Sequence, residues 1–448
     1  MFTLLGKMGR ARALSAAILL VGAAVPAVAQ DITANAALHY WKAIALMRRP
    51  GTPAQLQTIQ FVHNDFVALP PRVLVADPEA LRLLLSEQPM LAALADGARM
   101  TACAFSIARP DNVSLDVSHL PELRDVAQRA LASAKAYEYA GNPAGAGAIY
   151  ANLLRLILHL SYDKTLYSDS AAAELLQMVV HDLEGFVARD QPREAYDALL
   201  ACFDEAREFI LRPGAALRED RLRYTDWLLA RPAQADQRLD VLYGTARSKP
   251  GVERLMTLDA PRKEARLREW LKGYDQWVDE LADALELPYR RGIARVQELD
   301  DRRRRQLRDP TGGDNPMIPL LIPETAELYQ KLLLAEAQFD MADILCLAGA
   351  YRAETRKWPE SLDVIRALLR FRHLPQDPFS GQDFAYRLSK GLPVLIVRVP
   401  KWMAAKKTFL YEINIGKRVE EDRRSAEEAI KKMQRKLVGE RAQPVPLR

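Results

Sequence analysis

The sequence predicts a mainly α-helical protein: an irregular array of helical hairpins over 30–308, then a small α+β module over 324–448. Three observations carry that expectation. Apolar residues recur at helical spacing through most of 31–308. Asp309-Pro310-Thr311-Gly312-Gly313-Asp314-Asn315-Pro316, with Pro319 and Pro323, cannot continue a helix and marks a linker at 309–323. Beyond it, one long helical stripe gives way to short runs alternating with period two, which is the strand signature.

The first segment reads as an address. Lys7, Arg10 and Arg12 precede an apolar run over 13–25, and Ala27-Val28-Ala29 supplies small residues at a cleavable site. That order predicts a secretory signal peptide over 1–29, and hence export to periplasm or medium. An uncleaved anchor is the alternative, disfavoured because a bilayer span takes roughly 20 apolar residues. Arg10 and Arg12 are not adjacent, which argues against a twin-arginine signal, and the first cysteine is Cys103, far from any lipoprotein position.

Charge follows from the same division. The 448 residues carry 63 Lys+Arg and 58 Asp+Glu, a formal +5, and loss of the three cations of 1–29 leaves +2. Thirteen basic and seven acidic residues fall in 401–448, so 30–400 is slightly acidic at −4. Such a body has no electrostatic footprint for nucleic acid. At 27% charged and 49% hydrophobic the composition is that of a folded chain, which excludes general disorder.

The elements follow in order. Ala36, Tyr40, Ala43, Ile44 and Met47 make one helical face. Two amphipathic runs, 119–139 and 144–160, are joined by Ala140-Gly141-Asn142-Pro143. Gly141 suits the left-handed C-terminal position and Pro143 the first turn of the next helix, which predicts a hairpin. Arg189-Asp190-Gln191-Pro192 predicts a second, between helices at 170–188 and 193–211. Ala134, Tyr137, Gly141, Ala146 and Tyr150 stand at the small and aromatic offsets of tetratricopeptide hairpins, and Phe186, Asp190, Ala195 and Leu199 match them more loosely. Further helices are expected at 217–229, 234–245, 262–285 and 289–307. A long helix over 324–355 and a short one from Trp358 to about Phe371 open the second module. Phe384 and Tyr386, the run 392–399, and Phe409, Tyr411, Ile413 and Ile415 predict a three-stranded antiparallel sheet. A charged helix over 420–438, striped with Ala426, Ile430, Met433 and Leu437, closes the chain.

Residues that could carry chemistry are few. There is no G-x-S-x-G, no phosphate-cradling loop and no H-E-x-x-H among the six histidines. His181-Asp182, with His159 upstream, is the nearest approach to a hydrolase site, which would need several ligands converging on one ion. Glu360-Ser361 raises a transglycosylase-like glutamate, but Pro359 makes Glu360 an ordinary first-turn carboxylate. Arg302-Arg303-Arg304-Arg305, with Arg290, Arg291, Arg295 and Arg308, is the densest positive patch and is partly neutralised by Glu298, Asp300 and Asp301. Trp227, Trp270, Tyr274 and Trp277 read as packing residues. Cys103, Cys202 and Cys346 read as buried thiols, with a single disulfide as the alternative.

Two resemblances add to this. Asn35-Ala36-Ala37-Leu38-His39-Tyr40-Trp41 with Met47, Cys103, His119-Leu120-Pro121-Glu122-Leu123-Arg124 and the Gly141 turn resembles a set of uncharacterised secreted bacterial helical proteins. Ala350-Tyr351-Arg352, Trp358-Pro359-Glu360-Ser361-Leu362-Asp363, Leu374-Pro375-Gln376-Asp377-Pro378-Phe379-Ser380-Gly381 and Tyr386-Arg387 are similar to the globular region of type II secretion major pseudopilins. That likeness implies a long helix leading through an Asp-Pro turn into a small antiparallel sheet. It does not extend to filament assembly or calcium, because the cassette is C-terminal here and Val397-Arg398-Val399-Pro400-Lys401 offers no cluster of oxygen ligands.

The expected function is an exported, non-enzymatic envelope scaffold or binding protein, partnered by a protein or an envelope polymer. No catalytic, cofactor-binding or metal-ligating residue is assigned, no cofactor is expected, and no transmembrane span is expected once the signal is removed. The alternatives are an envelope hydrolase built on His159, His181 and Asp182, or an accessory of a secretion or pilin-like apparatus.

Overall fold

The computed structural model describes residues 35–47, 84, 86–105, 117–206, 211–234, 237–238, 250–308, 315–322, 324–369, 373–397 and 411–441. The segment read as a signal peptide therefore lies outside the described residues, as does most of the helix expected at 234–245.

Helix α1 (Ala36–Leu46) starts on Asn35, whose Oδ1 accepts the Ala37 amide at 3.1 Å. The same oxygen accepts the Ala104 amide at 3.0 Å, and so pins α1 to the segment that follows α2 (Gln88–Ala98). The hairpin of α3 (His119–Tyr139) and α4 (Pro143–Ser161) is built as its sequence predicts. Gly141 takes φ +79°, a left-handed conformation in which a Cβ is strained, and Asn142 Oδ1 caps α4 by accepting the Gly145 amide at 2.9 Å. Thr165 caps α5 (Leu166–Ala188) in the same manner, accepting the Ser168 amide at 3.0 Å.

The second turn differs from expectation. No left-handed residue closes α5; Arg189 is extended, and Pro192 leads into a single 3-10 turn, Arg193–Ala195, before α6 (Asp197–Glu205). The reason is packing: a Cβ on Gly147 of α4 would lie 2.0 Å from the Ala195 carbonyl oxygen, so α4 receives this backbone at its glycine. The helix expected at 193–211 is accordingly shorter and begins late.

Helix α7 (Pro213–Ala230) and the short α8 (Pro250–Met256) precede α9 (Ala260–Glu286), capped by Asp259 on the Arg262 amide at 3.0 Å. Arg218 to Asp283 (2.6 Å) and Arg221 to Asp279 (2.7 Å) lace α7 to α9 across the surface. Then come α10 (Tyr289–Arg308), a five-residue α11 (Met317–Leu321) and α12 (Thr325–Thr355). Met317 is fully buried, so the stretch read as a linker carries a helical turn packed into the core. The short α13 (Leu362–Leu368) follows.

The strands come last. A hairpin of two-residue strands, β1 (Gln376–Asp377) with β2 (Gln382–Asp383), precedes an antiparallel sheet of β3 (Ala385–Ser389), β4 (Leu392–Ile396) and β5 (Glu412–Asn414) in that spatial order. Buried Asp377 organises the first turn: its carboxylate accepts the Phe379 amide at 2.9 Å and the Ser380 hydroxyl at 2.8 Å. Helix α14 (Ile415–Arg441) leaves β5 directly, and lies against α5. Ala426 is partly buried there, while the side chains of Ile430, Met433 and Leu437 lie outside the described set.

The fold is thus mainly α with a small α+β module at its C-terminal end. The buried apolar residues form one contiguous cluster running from Ala36 to Ile415, with α12 packed along α5 across the division between the two segments. Among the described residues no helix is long and apolar enough to cross a membrane.

Candidate functional site

The charged residues singled out in the sequence go to separate places. His159, on α4, is buried; its Nδ1 faces the Tyr40 hydroxyl at 2.6 Å and its Nε2 the Met100 carbonyl at 3.0 Å. Burial pushes it down to about 4, so it is a neutral imidazole clipping α1 and the end of α2 to α4. His181 stands at the surface of α5, where the Arg418 guanidinium donates to its ring at 2.5 Å. Partial burial, then the Arg418 charge, hold its titration below the ordinary histidine range. Asp182 turns the other way, into the core, and pairs with Lys135 of α3 at 2.7 Å, both side chains essentially inaccessible. Three side chains thus serve three different sets of partners. Among the described residues no group of three or more His, Cys, Asp or Glu is placed to hold a metal ion.

Asp182 and Arg418 belong to a continuous polar junction where α3, α5 and α14 meet. Arg418 is 5% exposed and also pairs with Asp422 at 3.0 Å. Arg189 donates to Glu138 at 2.8 Å and to Asp422 at 3.2 Å, and Gln191 adds a bond to Glu138 at 2.6 Å. Glu184 accepts the Tyr411 hydroxyl at 3.1 Å, and burial carries its carboxyl up to about 7 despite that bond. Burial lowers Lys135, with the Asp182 charge acting against it. Nearly every charge here has an opposite neighbour, and the whole arrangement ties the C-terminal helix to the array.

The arginine run is spent similarly. Arg302 lies over the Trp277 ring at 4.0 Å and reaches Glu280 at 3.1 Å; Arg304 pairs with Asp301 at 3.0 Å and Glu324 at 3.2 Å. Trp270, Tyr274 and Trp277 are buried and Trp227 packs at the core's edge, as their packing role requires. Glu360 is an exposed surface carboxylate. All three cysteines are free thiols, Cys202 and Cys346 buried, and burial raises each above its ordinary range.

A different region is concave. A cavity of about 510 Å³ opens between the start of α7, the α9–α10 corner and the middle of α12, with Pro378 at its edge. Ligand cavities typically measure about 300–1,000 Å³ and combine apolar walls with a few fixed polar groups. Leu211, Leu285 and Leu332 make the walls, and Tyr289 and Tyr329 line it with ring centroids 5.6 Å apart. The Tyr329 hydroxyl donates to the Leu287 carbonyl at 3.0 Å. A second depression, about 480 Å³ around Arg231, Pro232 and Pro261, is a shallow surface hollow by comparison.

Two carboxyls line this cavity, Glu336 and Glu286, and Glu286 is paired with Arg218 at the exposed rim. Glu336 is half-buried on α12, and its Oε1 accepts the Leu211 amide at 2.8 Å. Burial, reinforced by the negative charges of Asp340 and Asp169, pushes it up to about 8, against the Leu211 bond. Behind it run further acids. Asp169 is 1% exposed, and neither of its oxygens has a hydrogen-bond partner among the described residues. Burial, then Asp220 and Asp163, carry it to about 7. Asp220 rises to about 6, chiefly by burial, and Asp340 is held well above the carboxylate range by burial and by Asp343 and Asp377. The sequence contains a signal for this seam: Glu336, Asp340 and Asp343 recur four and three residues apart within 332–348, a stretch of α12 that is otherwise apolar apart from Gln338.

Comparison of the chain with protein-family models, with curated proteins and with solved structures found no match in any of the three.

Proposed function

We propose that the protein is an exported, non-enzymatic binding protein of the cell envelope, in which the helical array and the C-terminal module frame a ligand cavity. The observation that carries this reading is the half-enclosed cavity between α7, α9, α10 and α12, with apolar walls, two tyrosines and a single backbone-anchored carboxyl. The occupant it fits is a small molecule, narrower than the protein or polymer partner the hairpins suggest. The dispersed-hydrolase reading loses support because His159, His181 and Asp182 are each held by structural partners. Export rests on the Lys7, Arg10 and Arg12 cluster ahead of the apolar run and Ala27-Val28-Ala29.

A thermal-shift screen of diverse small molecules tests the reading. Compounds that stabilise the wild type should lose their effect on Leu333→Trp, whose indole fills the cavity from a half-buried wall position. No stabilising compound, or stabilisation indifferent to that substitution, contradicts it. Amino-terminal sequencing of envelope-fraction protein should find a start near Gln30; a cytosolic chain retaining Met1 contradicts export.

A further inference from the structure

We propose that the cavity takes an organic ammonium with an apolar or aromatic body, and that Glu336 is its counter-ion; this rests on reading the cavity as a ligand site. Four observations converge. The walls are apolar and aromatic, so the body of the ligand replaces water against Leu211, Leu285, Leu332 and the two tyrosines. The Glu336 carboxyl is fixed by the Leu211 amide at 2.8 Å, which orients it before any ligand arrives. No described Lys, Arg or His pairs with Glu336, whereas surface carboxylates such as Asp283, Asp279, Glu264 and Glu324 each have such a partner. The charges acting on it, Asp340 one turn on along α12 and Asp169 of neighbouring α5, are both acidic.

The remaining charged groups at the rim do not reverse this preference. Glu286 is already paired with Arg218, and Arg212 is exposed at the opening, one residue beyond the amide that Glu336 accepts. A half-buried acid with acidic neighbours and no paired cation among the described residues keeps its proton at neutral pH; an arriving ammonium supplies the missing opposite charge. Seating it forms an ammonium–carboxylate pair and sends the Glu336 proton to the buffer. Tyrosine rings beside the ammonium add cation–π attraction.

The test is calorimetry on the full chain at about pH 7 with three matched probes: phenethylamine, phenethyl alcohol and phenylpropionate. The amine should bind tightest, and its heat should vary with buffer ionisation enthalpy in proportion to about one proton released, since a group titrating near 8 is mostly protonated at that pH. Glu336→Gln should weaken the amine by roughly 30-fold or more and leave the alcohol unchanged. Alcohol binding as tight as the amine, or amine binding without proton release, overturns the ammonium assignment. So does phenylpropionate binding tightest, which would make Arg212 the anchor while leaving the ligand cavity intact. Binding of none of the three also overturns it, whereas screen hits sensitive to Leu333→Trp would still uphold the cavity. If Glu336→Gln does not fold, the proton release of the wild type decides alone.

Discussion

Two buried polar regions, both anchored on α5, treat charge in opposite ways. At the junction of α3, α5 and α14, Lys135 meets Asp182, Arg418 meets His181 and Asp422, and Arg189 meets Glu138. In the seam between α5, α7 and α12, Asp169, Asp220, Glu336 and Asp340 face one another with few cations among them. The first region meets its desolvation cost mainly by pairing, with Glu184 as the carboxyl that burial still raises, and its chemistry is used up in holding the C-terminal helix. The second satisfies it by keeping protons, so its charge state is open to pH and to a ligand. A sequence rich in ionisable groups therefore need not hide an active site, and the unpaired group is the one to pursue.

The largest expected effect lies at the paired region. Lys135→Met leaves Asp182 buried and alone, and should lower unfolding free energy by about 3–5 kcal/mol. Lys135→Met combined with Asp182→Leu should recover most of that loss, because two packed apolar side chains replace the pair. Urea titrations of both variants check it; a single variant as stable as wild type would mean the pair is not desolvated. Next, Arg418→Ala removes the cation shared by His181 and Asp422, and should cost about 1–3 kcal/mol. It should also raise the His181 titration toward its ordinary range, read by NMR of the imidazole; an unmoved histidine would show that Arg418 does not govern it.

In the unpaired region the sign reverses. Asp169→Asn removes a carboxyl that folding forces to keep its proton, so the variant should match the wild type below about pH 4 and exceed it progressively up to about pH 7, by at most about 1.4 kcal/mol per pH unit. Loss of stability at both values would point to a partner for Asp169. The smallest effect belongs to the surface. Arg302→Ala should change stability by at most about 1 kcal/mol, through lost contact with Trp277 and Glu280, and less at high salt.

How far all this could be read beforehand follows from what local sequence encodes. Gly141 and Pro143 are read correctly because a left-handed turn and a first-turn proline are requirements of a few consecutive residues. The three-stranded sheet is legible for the same reason, from alternation at 392–396 and around Ile413. The turn after Arg189 is misread because its shape is set by Gly147, some forty residues earlier, accepting the Ala195 backbone. The helical turn at Met317–Leu321 is hidden by its prolines: Pro316 stands at its start and Pro319 within its first turn, where no intrahelical amide bond is required. His159 and His181-Asp182 stand out as chemical residues, yet which partner each meets is a tertiary fact. Glu336 and Asp340 look like part of a solvated helix face until α5, α7 and α10 are packed against it.

Unfolding free energy in urea, measured at about pH 6.5 and about pH 8.5 for the wild type and for Asp169→Asn/Glu336→Gln, sets the two regions directly against each other. Carboxyls raised to about 7 and about 8 hold protons that the unfolded chain has already lost, so wild-type stability falls as pH rises through this window. The fall is at most about 1.4 kcal/mol per pH unit for each group still protonated. His159, lowered to about 4, gives stability that is complete above about pH 6.5 and does not change in this window. The prediction is a wild type that loses stability between the two pH values and a double variant that loses distinctly less. Equal losses in the two proteins would show that Asp169 and Glu336 are ordinary ionised carboxylates, and the unpaired acid at the cavity would not exist.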